Sequence, residues 1–285
     1  LTRVAILTPD PADESFHGRW RDVFGRMARP LAAEGVEAAD VSWVSDEDLS
    51  AFDLVLPMNA WGYHRAYERW LARCDAWART GVRILNPASV LRWNADKRYL
   101  GRLWDAGAPA IPTVYVDRPR PEDVAAAAER FGAERLVVKP TVSASAFRTI
   151  LVSPGDPLDD GPLGPALIQP FLPAVGTDGE VSLIYFAGRF SHSVRKVAKP
   201  GDFRVQPEYD STVAGYDPEA DELAAAEAIL DAVEDPLLYA RVDLVRDRER
   251  RPALIELELI EPDLYLGYDP EAGQRFARAV KAAIA

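Results

Sequence analysis

The sequence predicts a mixed α/β and α+β protein built in three parts, and three observations carry that prediction. Short apolar runs alternate with helical apolar stripes over roughly the first 90 residues, the pattern of a parallel sheet covered by helices. A second α/β section follows, centred on the apolar run Leu136–Lys139. Near the C-terminus, Tyr239–Val245 and Ala253–Leu259 both alternate apolar and polar positions across the charged turn Asp247–Pro252, which reads as a hairpin.

In chain order, Arg3–Leu7 is a buried strand. Trp20, Val23, Phe24, Met27 and Leu31 then repeat at helical spacing up to Gly35. Asp53–Met58 reads as a second strand and Arg83–Leu85 as a third. Between them Tyr67, Trp70, Leu71, Cys74 and Trp77 form a helical stripe that stops at Gly81. Trp93–Gly107 reads as one helix with Lys97 in its first turn, where the helix dipole disfavours a cation unless an anion lies nearby. Thr113–Val116 is a strand, the segment around Val124–Phe131 a helix, and Ala166–Phe171, Val181–Phe186 and Phe190–Val197 are strands. Amphipathic helices at Glu219–Val233 and Ala272–Ile284 complete the chain.

Composition bounds the function. At 285 residues, with 48% hydrophobic and 27% charged residues, the chain buries a large core. A net charge of −12 argues against general affinity for nucleic acid or an anionic membrane. The single cysteine, Cys74, allows no internal disulfide, sits within a core stripe, and suits a reducing cytoplasm. No apolar run approaches the roughly 20 residues of a membrane span, and Leu1–Leu7 is too short for a signal peptide.

Several residues group into candidate chemistry. On the hairpin, Arg241 and Asp243 share one face of the first strand, and Glu256 and Glu258 share a face of the second. Converging carboxylates repel, so such a set recruits a hard divalent cation or a metal-bound polyphosphate; a solvated face is the plain alternative. Lys139 ends a buried strand before the small-residue loop Thr141–Ala146, whose N–H groups suit phosphate. Lys196, Lys199 and Arg204 make a basic cluster in an acidic chain. Asn59, Tyr63, His64 and Arg65 lie beyond the second strand, where α/β sheets collect ligands, and are candidate substrate contacts. His17 and His192 are isolated and read as structural or surface residues. Neither a GxGxxG fingerprint nor a Ser/His/Asp or Cys/His set is present.

These motifs, in order, resemble the ATP-grasp superfamily: Lys97 in NADKRYLGRLWDAG, LVVKP at 136–140, IQPFLP followed by Glu180, GDFR at 201–204, RVD at 241–243 and ELE at 256–258. The resemblance spans essentially the whole chain. It is nearest the branch of D-alanine–D-alanine ligase, glutathione synthetase and the RimK-like ligases that modify ribosomal protein S6. The tail ELELIEPDLYL further resembles the subgroup that holds the D-cycloserine-forming cyclase.

The resemblance implies a Rossmann-like N-terminal pre-grasp domain (1–92), a central lid domain (93–170) and a C-terminal grasp domain (171–285). It implies ATP and two magnesium ions. Lys97 and Lys139 would contact phosphates, with Ser143 and Ser145 in the closing loop. The hinge Gln169, Pro170, Phe171 and Leu172 would read adenine, and Glu180 the ribose. Asp243, Glu256 and Glu258 would hold the metal ions. Arg204, Arg241 and Lys196 would act at the transferring phosphate and the acyl group. Departures are Glu258 where many members carry Asn, Gln169 and Gln206 where others carry Glu and Asn, and a phosphate loop without glycine. The implied activity is that of a ligase that activates a small, amino-acid-derived carboxylate or carbonyl for capture by an amine, between molecules or within one. A kinase of the same fold and a non-catalytic ATP-binding regulator remain as alternatives, and a homo-oligomer is one option for assembly.

Overall fold

Apolar patterning sets the first sheet. In the computed structural model, residues 2–16, 18–199, 204–205 and 210–285 are described. Strand β1 (Thr2–Thr8) is buried from Val4 to Thr8, as a central strand must be. Helix α1 (Arg19–Ala33) leads to β2 (Val36–Ser42), and β3 (Leu54–Leu56) follows. Both pair parallel with β1, in the order β2-β1-β3. Arg83–Leu85, expected as a strand, contributes only an isolated bridge from Ile84 to Val55. Helix α2 (Tyr67–Thr80) ends at Gly81, whose φ of 71° is the left-handed geometry that a C-cap glycine accepts.

The segment expected as one helix from Trp93 to Gly107 is broken. Helix α3 (Ala88–Asn94) and helix α4 (Tyr99–Asp105) flank a turn that contains Lys97. Lys97 is therefore not in the first turn of a single helix. The second section then runs β4 (Val114–Val116), α5 (Pro121–Phe131), β5 (Leu136–Pro140), β6 (Ile150–Val152) and β7 (Ala166–Pro170). Its four strands form a sheet ordered β4-β7-β5-β6 with antiparallel pairs throughout.

The last section begins with the single turn α6 (Ala174–Thr177) and continues through β8 (Glu180–Phe186), β9 (Arg189–Val197) and β10 (Thr212–Gly215). Helix α7 (Ala220–Asp231), β11 (Tyr239–Arg246), β12 (Pro252–Glu258) and helix α8 (Ala272–Ile284) follow. The sheet order is β10-β9-β8-β11-β12. The expected hairpin is β11–β12, with Arg241 opposite Glu258 and Asp243 opposite Glu256. Period-two alternation gives the sheet two unlike faces. Val181, Leu183, Tyr185, Val242, Leu244 and Leu257 join one apolar core, while Glu180, Ser182, Arg241, Asp243, Glu256 and Glu258 point the other way. Ile184, Phe186 and Tyr239, further along that second face, join α1 and α8 in a core shared with the N-terminal sheet.

Strand β12 is an edge, and an unpaired edge leaves backbone donors and acceptors without partners. Here the backbone of Pro109 and Ile111 bonds Leu254 at 2.7 and 3.1 Å, and polar side chains take groups further along. Asn86 Nδ2 donates to the carbonyl oxygens of Tyr239 and Leu259 at 2.9 and 2.8 Å. Asn94 takes the Leu257 carbonyl at 2.9 Å and the Leu259 N–H at 3.0 Å, and the Tyr99 hydroxyl accepts from the Leu257 N–H at 2.9 Å. Holding both Asn94 and Tyr99 against one strand accounts for the helix break and brings Lys97 to the carboxylate face. Among the described residues no helix is long and apolar enough to cross a membrane.

Candidate active site

One cavity of about 910 Å³ lies between the β4-β7-β5-β6 sheet and the carboxylate face of the C-terminal sheet, with the loop after β3 at its rim. Lys97, Lys139, Ser143 and Ser145 line it from one side. Gln169, Pro170, Phe171 and Leu172 line it where β7 ends. Glu180, Lys196, Arg204, Arg241, Asp243, Glu256 and Glu258 line the opposite wall, and Tyr63, His64 and Arg65 the N-terminal end. Asn59 does not reach the cavity; it is fully buried and donates to the Trp20 carbonyl at 3.0 Å. Lys199 also stands apart, exposed and paired with Asp210 at 3.1 Å. His17, Gly201, Asp202, Phe203 and Gln206 lie outside the described residues.

The carboxylate wall is an alternating lattice of charge. Arg241 grips Asp243 through Nε at 3.0 and 3.2 Å and Nη2 at 2.9 Å, and its Nη2 also donates to Glu258 at 2.5 Å. Ser182 donates to Asp243 at 2.5 Å. Lys196 bridges Glu180 and Asp243, the latter at 3.4 Å. Burial opposes ionisation of Asp243, but Arg241 and Lys196 outweigh it and hold this carboxyl well below the usual carboxylate range. For Lys196 burial works downward, and Asp243 with Glu180 overcomes it, so the ammonium stays charged. Glu258 is pushed up to about 7 by burial, against the pull of Arg241.

Gly179 makes the Glu180–Lys196 contact geometrically available. Its φ is +84°, and a β-carbon there would stand 2.5 Å from the Lys196 carbonyl oxygen, so only glycine lets β8 begin this close to β9.

On the other wall Lys97 Nζ donates to the Ser143 carbonyl at 2.7 Å and pairs with Glu256 at 3.0 Å, while its own N–H bonds the Thr141 carbonyl at 2.7 Å. Lys97 thus ties the small-residue loop to the carboxylate hairpin. The glycine-free loop turns by placing Ser145, Ala146 and Arg148 in the left-handed region, with φ of 51°, 53° and 52°. Lys139 is 7% exposed, and its ammonium makes no hydrogen bond or ion pair with a described residue. Burial depresses its pKa, against the field of Glu256. Gln169 Nε2 donates to Thr113 Oγ1 at 3.0 Å.

At the N-terminal end, Arg65 bonds Asp13 and Ser15, each at 2.8 Å, and lies over the Phe16 ring. His64 Nδ1 is buried without a hydrogen-bond partner. Burial, then Arg65 and Lys97, push the His64 imidazole down to about 4, so it is neutral near pH 7.

Three carboxylates on one wall make an all-oxygen donor set suited to a hard cation. As arranged, Arg241, Lys196 and Lys97 meet their charge, and among the described residues no three acidic, His or Cys side chains stand ready around one ion.

Comparison with known proteins shows the lineage of the chain. A family model described as the N-terminal domain of D-cycloserine synthetase DcsG matches residues 4–86. The cycloserine biosynthesis protein DcsG of Streptomyces lavendulae is 32% identical over 269 residues, covering 86% of this chain and 88% of the relative. The chain belongs to the DcsG family of ATP-grasp ligases. The crystal structure of D-cycloserine synthetase DcsG superposes with a TM-score of 0.84 at 26% identity, over 99% of this chain and all of that one. The D-alanine–D-alanine ligase of Bacillus anthracis, solved with ATP, shares the fold at a TM-score of 0.70 and 14% identity, over 100% and 97% of the two chains.

The sequence reading assigns no role to Glu261, Asp263 and Tyr265, which line the cavity, or to Ser182, which is fully buried and bonds Asp243. Ser182 carried a usable signal, since it sits two residues after Glu180 and shares its face. Glu261, Asp263 and Tyr265 follow β12 in an irregular segment with no period to read.

Proposed function

We propose that this chain is an ATP- and magnesium-dependent ligase that activates the carboxylate of a small amino-acid-derived molecule and lets an amine of the same molecule close a ring. The observation that carries the reading is Lys139. A buried ammonium without a described partner is costly, and a polyphosphate seated between Lys139 and Lys97 supplies the missing anion. The cyclising form is supported by membership in the DcsG family, whose relative is named for cycloserine biosynthesis.

The chemistry follows from leaving groups. A free carboxylate resists attack because oxide does not leave. A carboxylate oxygen therefore attacks the terminal phosphorus of ATP, and ADP departs. The amine nitrogen attacks the acyl carbon, inorganic phosphate departs with that oxygen, and the nitrogen loses a proton. Both steps need charge neutralisation and alignment rather than a side-chain nucleophile. Asp243, Glu256 and Glu258 form the donor set for magnesium, which when bound neutralises phosphate charge. Lys97 and Lys139 orient the phosphates, with the Ser143 and Ser145 loop alongside. The hinge Gln169–Leu172 takes the adenine and Glu180 the ribose. Lys196, Arg204 and Arg241 face the transferring group, with Tyr63, His64 and Arg65 toward the substrate. Domains divided near 92 and 170 place the nucleotide between the second and third parts.

Hydroxylamine tests the activated carboxyl. With ATP, magnesium and a panel of small amino acids, it should yield a hydroxamate together with ADP. A cyclase should also turn over one such substrate with no second amine. ADP formation that leaves phosphate on the organic molecule contradicts the proposal.

A further inference from the structure

Glu261 is set apart from the four carboxylates of the C-terminal sheet that line the cavity. Glu180, Asp243, Glu256 and Glu258 each have an ion pair, whereas Glu261 lines the cavity without a hydrogen bond or ion pair to any described residue. Lys97 and Arg241 lie near enough to act on it, but both are already engaged by other carboxylates.

The position of Glu261 is built rather than incidental. The Ile260 carbonyl before it accepts from the Tyr239 hydroxyl at 2.7 Å. After it, the Asp263 carbonyl accepts from Arg241 Nη1 at 3.4 Å, and the Leu264 carbonyl lies 2.9 Å from His192 Nε2. Tyr63, also lining the cavity, is 7% exposed, and its hydroxyl makes no hydrogen bond with a described residue. Burial, and after it the charge of Glu261, pushes the pKa of that hydroxyl up. The same cavity thus presents an unpaired carboxyl and an unpaired phenol, with neutral His64 next in sequence to the phenol.

We propose that Glu261, assisted by the Tyr63 hydroxyl, is the subsite for the protonated primary amine of the substrate. An ammonium brings up to three donors, which suits two separate acceptors, and its charge relieves the repulsion between Glu261 and Glu258. The inference rests on the ligase reading and extends it: Lys139 awaits the anionic co-substrate, and Glu261 the cationic end of the amino acid. A specificity determinant at this place selects amino acids over hydroxy acids or plain carboxylates of the same length.

The test is equilibrium binding to the full chain of D-cycloserine and of isoxazolidin-3-one, the same ring without its amine, with and without ADP and magnesium. Wild type should prefer the amine by about tenfold or more, the scale of one charge-assisted contact. Glu261→Gln should erase that preference with no fall in melting temperature, Glu261→Asp should keep part of it, and Tyr63→Phe should reduce it. The assignment is overturned if Glu261→Gln retains the preference, if wild type shows none, or if wild type binds neither ring. It is equally overturned if Glu261→Gln weakens magnesium-dependent ADP binding as Glu256→Gln does, since that marks a metal ligand. Failure of the ligase reading shows separately, as wild type that does not bind ADP with magnesium; the preference measured without nucleotide then still decides Glu261.

Discussion

Arg241 and Asp243, two residues apart on β11, meet through a forked contact in which Nε lies 3.0 Å from one carboxylate oxygen and Nη2 2.9 Å from the other. Both side chains are almost wholly buried, at 9% and 2% exposure. Removing one partner strands the other's charge. Arg241→Met is expected to destabilise the fold by about 3–5 kcal/mol, the scale for breaking a buried pair. Urea unfolding at neutral pH measures it, and a loss near zero would mean that Lys196 alone holds Asp243.

Lys139 gives the opposite expectation, because it has no such partner. Lys139→Met removes a buried charge without stranding another, so the melting temperature should not fall. The rise in melting temperature caused by ATP with magnesium should disappear, because that rise is mass action on the folded state. A variant that keeps the ATP-induced rise contradicts the phosphate role.

Glu256 lies opposite Asp243 and pairs with Lys97 at 3.0 Å. Burial opposes its ionisation, and Lys97 with Lys139 overcomes that, so it is a carboxylate at neutral pH. Glu256→Gln keeps the shape and should keep the fold while abolishing turnover and weakening the magnesium dependence of nucleotide binding. Turnover near wild type would remove Glu256 from the metal set.

The hairpin was legible in the sequence because period two survives in a half-polar face, and Arg241, Asp243, Glu256 and Glu258 fell where that period put them. Strand β2 (Val36–Ser42) was not legible. Its run VEAADVS is acidic and only two of its residues are buried, so it lacks the apolar density that marked β1. The helix break at Lys97 was hidden for a different reason. Local periodicity runs straight through it, and only the distant edge of β12, through Asn94 and Tyr99, enforces the turn. Asn59 looked like a loop residue facing a ligand, but its amide serves the Trp20 carbonyl in the interior. Glu261 falls within the tail ELELIEPDLYL, but an irregular segment has no period to mark which of its residues faces a cavity.

Glu261 also gives a pH signature. Burial and the charge of Glu258 push its carboxyl from 4.5 up to about 8. Between those values the folded chain holds a proton that the unfolded chain has released, so this group's contribution to stability falls as pH rises through that window and is constant above it. Glu261→Gln is neutral throughout and removes that slope. Relative to wild type, the variant should therefore gain stability from about pH 5 to about pH 8 in paired urea titrations. A constant difference would show that the carboxyl titrates in the ordinary range.

The central claim is that a carboxylate oxygen attacks ATP and leaves with phosphate. The direct measurement is oxygen-18 transfer: the amino acid that a screen for ADP release identifies is prepared with its carboxyl group labelled and turned over with ATP and magnesium. The account predicts one labelled oxygen in each inorganic phosphate released, in step with ADP and ring-closed product. Unlabelled phosphate, or phosphate retained on the amino acid, would contradict it.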